Sequence, residues 1–226
     1  MSVTESPRGA RKPRRPLLTR EAVVDAAARV LQRDGYGGLT MRAIADDLGV
    51  QAPALYWYVA NKEMLESLVY DHLMSGFVVE LAGADWRENI RQAAQQLRQY
   101  MRGKRDIISI TPRDFSLGPN SMAQLEGGLT ILLAGGLSPR DAAYGFNMLF
   151  NYVTNWVEGE GRPDAGEVSP PRIAAELDAP DGVDAALYPS VAALAGDLAA
   201  YDADGRFAFG LECMIAGLER RVSAGD

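Results

Sequence analysis

Tyr56, Trp57 and Tyr58, three aromatic side chains in succession, are followed by an ammonium group at Lys62. Residues of these types at this spacing suit recognition rather than bond-making. Phenol and indole groups donate hydrogen bonds, ring faces give apolar contact, and lysine meets an anion as a point charge. Exposed aromatics on a short helix make a poor solvent face. They are matched to a grooved anionic surface such as the DNA major groove, where thymine methyls lie between phosphate rows. Lys62 and the free backbone N–H groups of the helix it opens would meet the sugar-phosphate chain. The competing reading is a small helical hairpin whose aromatics are core. Covalent chemistry has little to work with. One histidine (His72) and one cysteine (Cys213) leave no catalytic pair, and no Gly-rich phosphate loop, HExxH or GxSxG is present. No enzyme activity, metal or cofactor is expected.

The elements that must position those aromatics lie in the surrounding stretch, LTMRAIADDLGVQAPALYWYVANK at 39–62. A short helix over 40–48 carries Ile44, Ala45 and Leu48 on one face. Gly49 ends it, because glycine turns cheaply through positive φ. A second helix over 53–59 starts with Pro53 in its first turn, where the missing N–H costs nothing. Leu55 and Val59 point back to the core, leaving Gln51, Ala54, Tyr56, Trp57 and Tyr58 outward. The Ala45–Gly49–Leu55 spacing is that of a helix-turn-helix. A preceding helix, from the N-cap Thr19 to the stop at Gly35, buttresses the pair through Val23, Ala27, Val30 and Leu31.

ALYWYVANKEMLESL closely resembles the DNA-binding domain of the TetR family, above all its tetracycline-repressor branch. The resemblance places Arg42, Ala52, Ala54, Tyr56, Trp57, Tyr58 and Lys62 at DNA-contacting positions, with Gln51 and Pro53 on the same segment. Ala52 and Ala54 depart from the branch, which carries polar side chains there, so a different operator is implied. FAFGLECMIAGLERR near the C-terminus resembles the branch's closing helix. WRENIRQAA and the Asn-containing helix align more loosely, so the likeness runs from Thr19 onward and is weakest in the middle. It implies an all-helical Ω-shaped homodimer with an effector pocket in each C-terminal domain. The branch holds a magnesium–drug chelate through histidines where this chain has Val78 and Thr111, so metal-dependent tetracycline binding is not expected.

The charge distribution agrees with a nucleic-acid partner. The 226 residues carry a net −7, but residues 1–62 hold ten Lys/Arg against six Asp/Glu, and the remainder thirteen against twenty-four. The segment expected to approach phosphate is positive and the rest is acidic. Residues 1–17, rich in Pro, Gly, Ser, Lys and Arg, read as a disordered basic arm. It would lie along DNA or serve as a solubilising tail; composition does not choose. No apolar run suggests a membrane span or a signal peptide, and a lone cysteine gives no internal disulfide, so a cytoplasmic protein is expected.

Periodicity divides the remainder into helices. One runs from Lys62 to about Leu81, with Leu65, Leu68, Val69 and His72 on one stripe; His72 is either a core histidine or a ligand contact. Asp85 caps a helix to Arg102 whose inner stripe includes Ile90, Leu97 and Met101. Its outer arginines, Arg98 among them, read as a solvated face. A helix from Asn120 to Ala134 turns Met122, Leu125, Leu129 and Leu132 inward. Ser138–Pro139 open PRDAAYGFNMLFNYVTNWVEGE, where asparagines recur at 147, 151 and 155 in an otherwise apolar helix. Phe146, Asn147 and Phe150 share a face suited to a flat oxygenated molecule, the alternative for each Asn being a wet helix seam. Residues 159–187 read as a mobile loop. The closing helix, RFAFGLECMIAGLERRV, is apolar on every side and needs two neighbours. A partner chain is the economical second neighbour, with burial inside the protomer as the alternative.

The expected protein is therefore all-α, with a helix-turn-helix DNA-binding domain at 18–62 and an effector-binding and dimerisation domain at 63–226. Its expected partners are double-stranded operator DNA, a second copy of the chain, and a small-molecule effector. His72, Leu97, Tyr100, Met101, Phe115, Leu125, Phe146, Asn147 and Phe150 are the candidate effector residues. Asn151, Asn155, Leu211, Met214, Ile215 and Leu218 are the candidate dimer contacts. The expected function is a repressor released by a polycyclic aromatic antibiotic, such as an aromatic polyketide, that derepresses an efflux or resistance gene. A metabolic repressor answering to an acyl-CoA or fatty ligand, and a nucleoid or partner-binding protein without effector, are the other readings.

Overall fold

The computed structural model describes residues 18–81, 83, 85–112, 118–160, 183–200 and 202–223, and among them every regular element is helical. The expected basic arm at 1–17, Phe115 and most of the expected 159–187 loop lie outside these residues.

Local signals start and stop the first helices. Helix α1, Arg20–Asp34, is capped by Thr19, whose side chain accepts the Ala22 N–H. It ends at Gly35, where φ +74° with an extended ψ is open in practice only to glycine. Helix α2, Met41–Leu48, is capped by Thr40 and closed by Gly49 in the left-handed region. The next element, Ala52–Trp57, is a tight 3₁₀ turn rather than an α-helix. Helix α3, Lys62–Met74, starts at Asn61, whose side chain accepts the Met64 N–H.

Helix α3 stops seven residues short of the Leu81 expected from periodicity. Ser75 ends it by turning its hydroxyl onto the His72 carbonyl at 2.6 Å. The chain then runs alongside helix α4, Trp86–Arg102, where Gln96 both accepts the Glu80 N–H and donates to its carbonyl. Asp85 caps α4 as expected, accepting two backbone N–H groups. A 3₁₀ turn over Ile107–Ile110 precedes α5, Pro119–Ala134, and α6, Pro139–Gly159. Two short helices, α7 (Pro189–Ala193) and α8 (Ala195–Ala199), lead to the closing helix α9, Ala203–Ser223.

Helix α1 packs on α2 and α3, α3 packs in turn on α5, and α4, α5 and α6 pack on one another with α9 laid across α4 and α6. One continuous apolar core links Val23, Leu31 and Leu55 at one end to Leu132, Val153 and Phe207 at the other. Two inward–outward assignments are corrected. Arg98 is buried rather than solvated: it pairs with Glu160 and Asp204 and lies 4.5 Å over the Phe207 ring. Its acids come from the end of α6 and the start of α9, and paired burial of this kind is the condition on which an arginine is tolerated inside. Met122 is half exposed, while Leu132 is buried as expected and Ile131 is buried beside it.

Candidate nucleic-acid interface

The 3₁₀ turn separates its side chains sharply. Leu55 and the following Val59 are buried, while Tyr56 is 54% and Trp57 88% exposed. Pro53, Tyr56 and Trp57 line a shallow open cleft. Gln51, Pro53 and Arg42 are exposed; Ala52, Ala54 and Tyr58 are half-buried. Lys62 is exposed, with its ammonium 4.5 Å from the Tyr36 ring centre and 3.4 Å from Glu66. An indole so exposed, held on a rigid turn, presents a ring and one N–H donor at fixed orientation. Behind the turn, Asp47 on α2 accepts from Arg29 and Arg33 on α1, and those guanidinium hydrogen bonds hold its carboxyl below the usual range.

Arg20 escaped the sequence reading. Its Nε donates to the Tyr58 carbonyl at 3.1 Å and so closes the C-terminal end of the 3₁₀ turn. A cation in the first turn of a helix is electrostatically misplaced, while one at a helix C-terminus is favoured. That mismatch is the signal by which Arg20 could have been found.

Further along the chain, Phe146 and Phe150 stack with centroids 6.1 Å apart and planes within 10°. Both are half-buried, and a side chain at Gly128 on α5 would stand 2.5 Å from the Phe146 ring. Leu97 and Leu125 are half-buried as well. Tyr100 donates its hydroxyl to the Leu73 carbonyl at 2.5 Å and sets its ring against Phe77. Of the other candidates in this group, one is buried and two are exposed. Met101 is fully buried in the core. His72 is exposed, 3.5 Å from Asp25 on α1, because Tyr70, Asp71 and Met74 take the inward side of α3. Asn147 is exposed rather than turned inward, and its side-chain oxygen accepts from Asn151 at 3.0 Å.

Of the dimer contacts expected on α9, three are turned inward. Leu211, Ile215 and Leu218 are buried against the protomer's own helices, Leu218 filling the space that Gly145 on α6 leaves open. Met214 is half-buried. The exposed side of α9 carries Phe209, 74% exposed, and Cys213; beside it α6 exposes Tyr144, Met148, Asn151 and Asn155. A helix apolar on every side has no periodicity from which to choose its outward face. Among the described residues, no helix is long and apolar enough to cross a membrane, and no His, Cys, Asp and Glu side chains group to hold a metal ion.

Comparison with known proteins covers both halves of the chain. Residues 23–66 match the family described as "Bacterial regulatory proteins, tetR family", and residues 81–222 match "Tetracyclin repressor-like, C-terminal domain". An HTH-type transcriptional regulator of Saccharopolyspora erythraea is 30% identical over 211 residues, covering 90% of this chain and 86% of that one. The class D tetracycline repressor protein of Escherichia coli is 28% identical over 92% of each chain. The crystal structure of the Streptomyces coelicolor TetR family protein ActR in complex with actinorhodin superposes with a TM-score of 0.79 at 31% identity, covering 89% of this chain and 97% of that one.

Proposed function

The chain belongs to the TetR family of bacterial transcriptional regulators, and on that premise we propose that it is a dimeric repressor released from a palindromic operator by a polycyclic aromatic molecule. The observation that carries the reading is the exposed pair Tyr56 and Trp57 on a turn whose other side is locked into the core. Pro53 lines the same cleft, Arg42, Gln51 and Lys62 are exposed on the flanking segments, and Arg20 fixes the end of the turn. Two such turns, one per protomer, read half-sites one helical repeat apart, roughly 34–36 Å.

The dimer forms through the exposed side of α6 and α9, where Tyr144, Met148 and Phe209 stand among Asn151, Asn155 and Cys213. Apolar side chains this exposed, on two adjacent long helices, are the kind of patch that a partner covers. The effector enters between α5 and α6 and lies against the stacked Phe146 and Phe150, with Leu125 at its edge. The likeness to a structure bound to actinorhodin supports a flat polyketide over an acyl chain, and so do parallel phenylalanine rings. The controlled gene is one of antibiotic export or resistance.

The test is to enrich a palindrome from random duplexes, footprint it with nanomolar protein, then add actinorhodin, other aromatic polyketides or acyl-CoAs. Protection lost to a polyketide at a saturable concentration is the expected result. Release by acyl-CoA alone would replace the ligand class, and protection of no particular sequence would overturn the reading.

A further inference from the structure

Asp71 lies on the inward side of α3 with only 7% of its surface exposed. A buried carboxylate must be partnered, and among the described residues its side-chain hydrogen bonds come from the start of α5. Its Oδ1 accepts from the Ser121 backbone N–H at 2.8 Å and from the Ser121 hydroxyl at 2.9 Å. Its Oδ2 accepts from Asn120 Nδ2 at 3.0 Å, and the same nitrogen reaches the Asp71 carbonyl at 3.1 Å. Helix α5 has no capping side chain of its own, because Gly118 stands at its N-cap and Pro119 follows. Asp71 supplies the missing cap from another helix, with its charge at the positive end of the α5 dipole.

Gly118 makes that approach possible. A Cβ there would stand 2.3 Å from the Asp71 carboxyl carbon and within 2.6 Å of both oxygens. The Gly118 backbone, at φ −76° and ψ 178°, is open to any residue. The glycine is therefore there for space, and a methyl group at 118 acts as a wedge between α5 and α3 without straining the chain.

We propose that Asp71 is a positioning residue for operator binding, the point at which α5 fixes α3 and, through its rigid first turn, the aromatic reading segment. The inference rests on the proposed operator-binding function. Movement of the α5 N-terminus carries the carboxylate with it, and the carboxylate carries the helix that starts at Lys62.

The wedge tests this without any effector. Dimeric, folded Gly118→Ala should hold the enriched palindrome about tenfold or more less tightly than the unaltered protein, in the range of coupling between linked sites. Asp71→Ala removes the group that the methyl strikes, so the Gly118→Ala/Asp71→Ala protein should bind better than Gly118→Ala alone. Asp71→Asn, which keeps the shape and an acceptor, should lie between the unaltered protein and Gly118→Ala. A double variant no better than Gly118→Ala, or affinities that simply follow thermal stability across the set, would overturn the proposal. Failure of the unaltered protein to select any palindrome would instead overturn the operator reading, which keeps the two failures apart.

Discussion

Trp57 is at odds with the ordinary behaviour of its residue type. Tryptophan is well buried on average, yet here its ring is 88% exposed while its neighbour Leu55 is fully enclosed. Truncating an exposed ring costs the fold little, about 0.5 kcal/mol or less for an ordinary surface site. Trp57→Ala and Tyr56→Ala should therefore each weaken operator binding, about tenfold or more for a central aromatic anchor, with thermal stability and dimerisation unchanged. Fluorescence anisotropy with a labelled duplex, beside a thermal melt, measures both. Arg20 makes a different prediction. Its remaining N–H groups stand at the edge of the reading turn, so Arg20→Ala should weaken binding to all sequences alike and lower the salt slope by about 1. An unaltered slope in a salt titration would confine Arg20 to closing the turn. These residues divide by legibility. The aromatics were readable because their neighbours in sequence are their neighbours in space. Arg20, whose partner lies 38 residues away, was not.

Among the elements, helix starts were the most legible, because a cap acts within one turn. Thr19 and Asp85 both cap as their positions suggest. Helix contacts were legible only where polarity varies along the helix. Arg98 looked solvated because its acids, Glu160 and Asp204, arrive from distant segments, and Asp71 gave no sign of capping a helix far along the chain. Gly35 joins two elements that no local pattern connects. Beside its +74° φ, Arg105 donates to the Arg33 carbonyl at 2.8 Å and Asp106 accepts the Tyr36 N–H at 2.7 Å. Gly35→Ala combines a strained backbone with a Cβ 2.7 Å from the Asp106 carboxylate. It should destabilise the protein by about 1–3 kcal/mol, measured by urea denaturation. Helix α9 carries a pH dependence of known sign. Arg91 on α4 holds the Glu212 carboxyl below its usual value of 4.5. A depressed folded-state value adds stability that is full above the unfolded value and fades as pH falls through the folded one. Acid melts below pH 4.5 should thus show a shallower decline for Glu212→Gln than for the unaltered chain.

For the whole molecule, the all-helical architecture was legible throughout, while the outward face of α9 was not. The burial of Leu211, Ile215 and Leu218 and the exposure of Phe209 give opposite expectations for two substitutions on one helix. Phe209→Glu should yield a folded monomer in sedimentation, because it places a charge on the proposed dimer patch. Leu211→Ala should cost the fold about 2–5 kcal/mol, as truncations of buried leucine do, without changing which face meets the partner. A monomer cannot set two reading turns one helical repeat apart, so Phe209→Glu should also lose the palindrome while keeping weak, salt-sensitive DNA binding. On the proposed function, a guest between α5 and α6 releases the dimer from its palindrome. Anisotropy of a labelled palindrome, held by the dimer and titrated with aromatic polyketides, tests it most directly. A saturable fall to the free-duplex value is expected for at least one polyketide, abolished in Phe146→Ala. An unchanged signal across the whole series, with the dimer still on its palindrome, would contradict it.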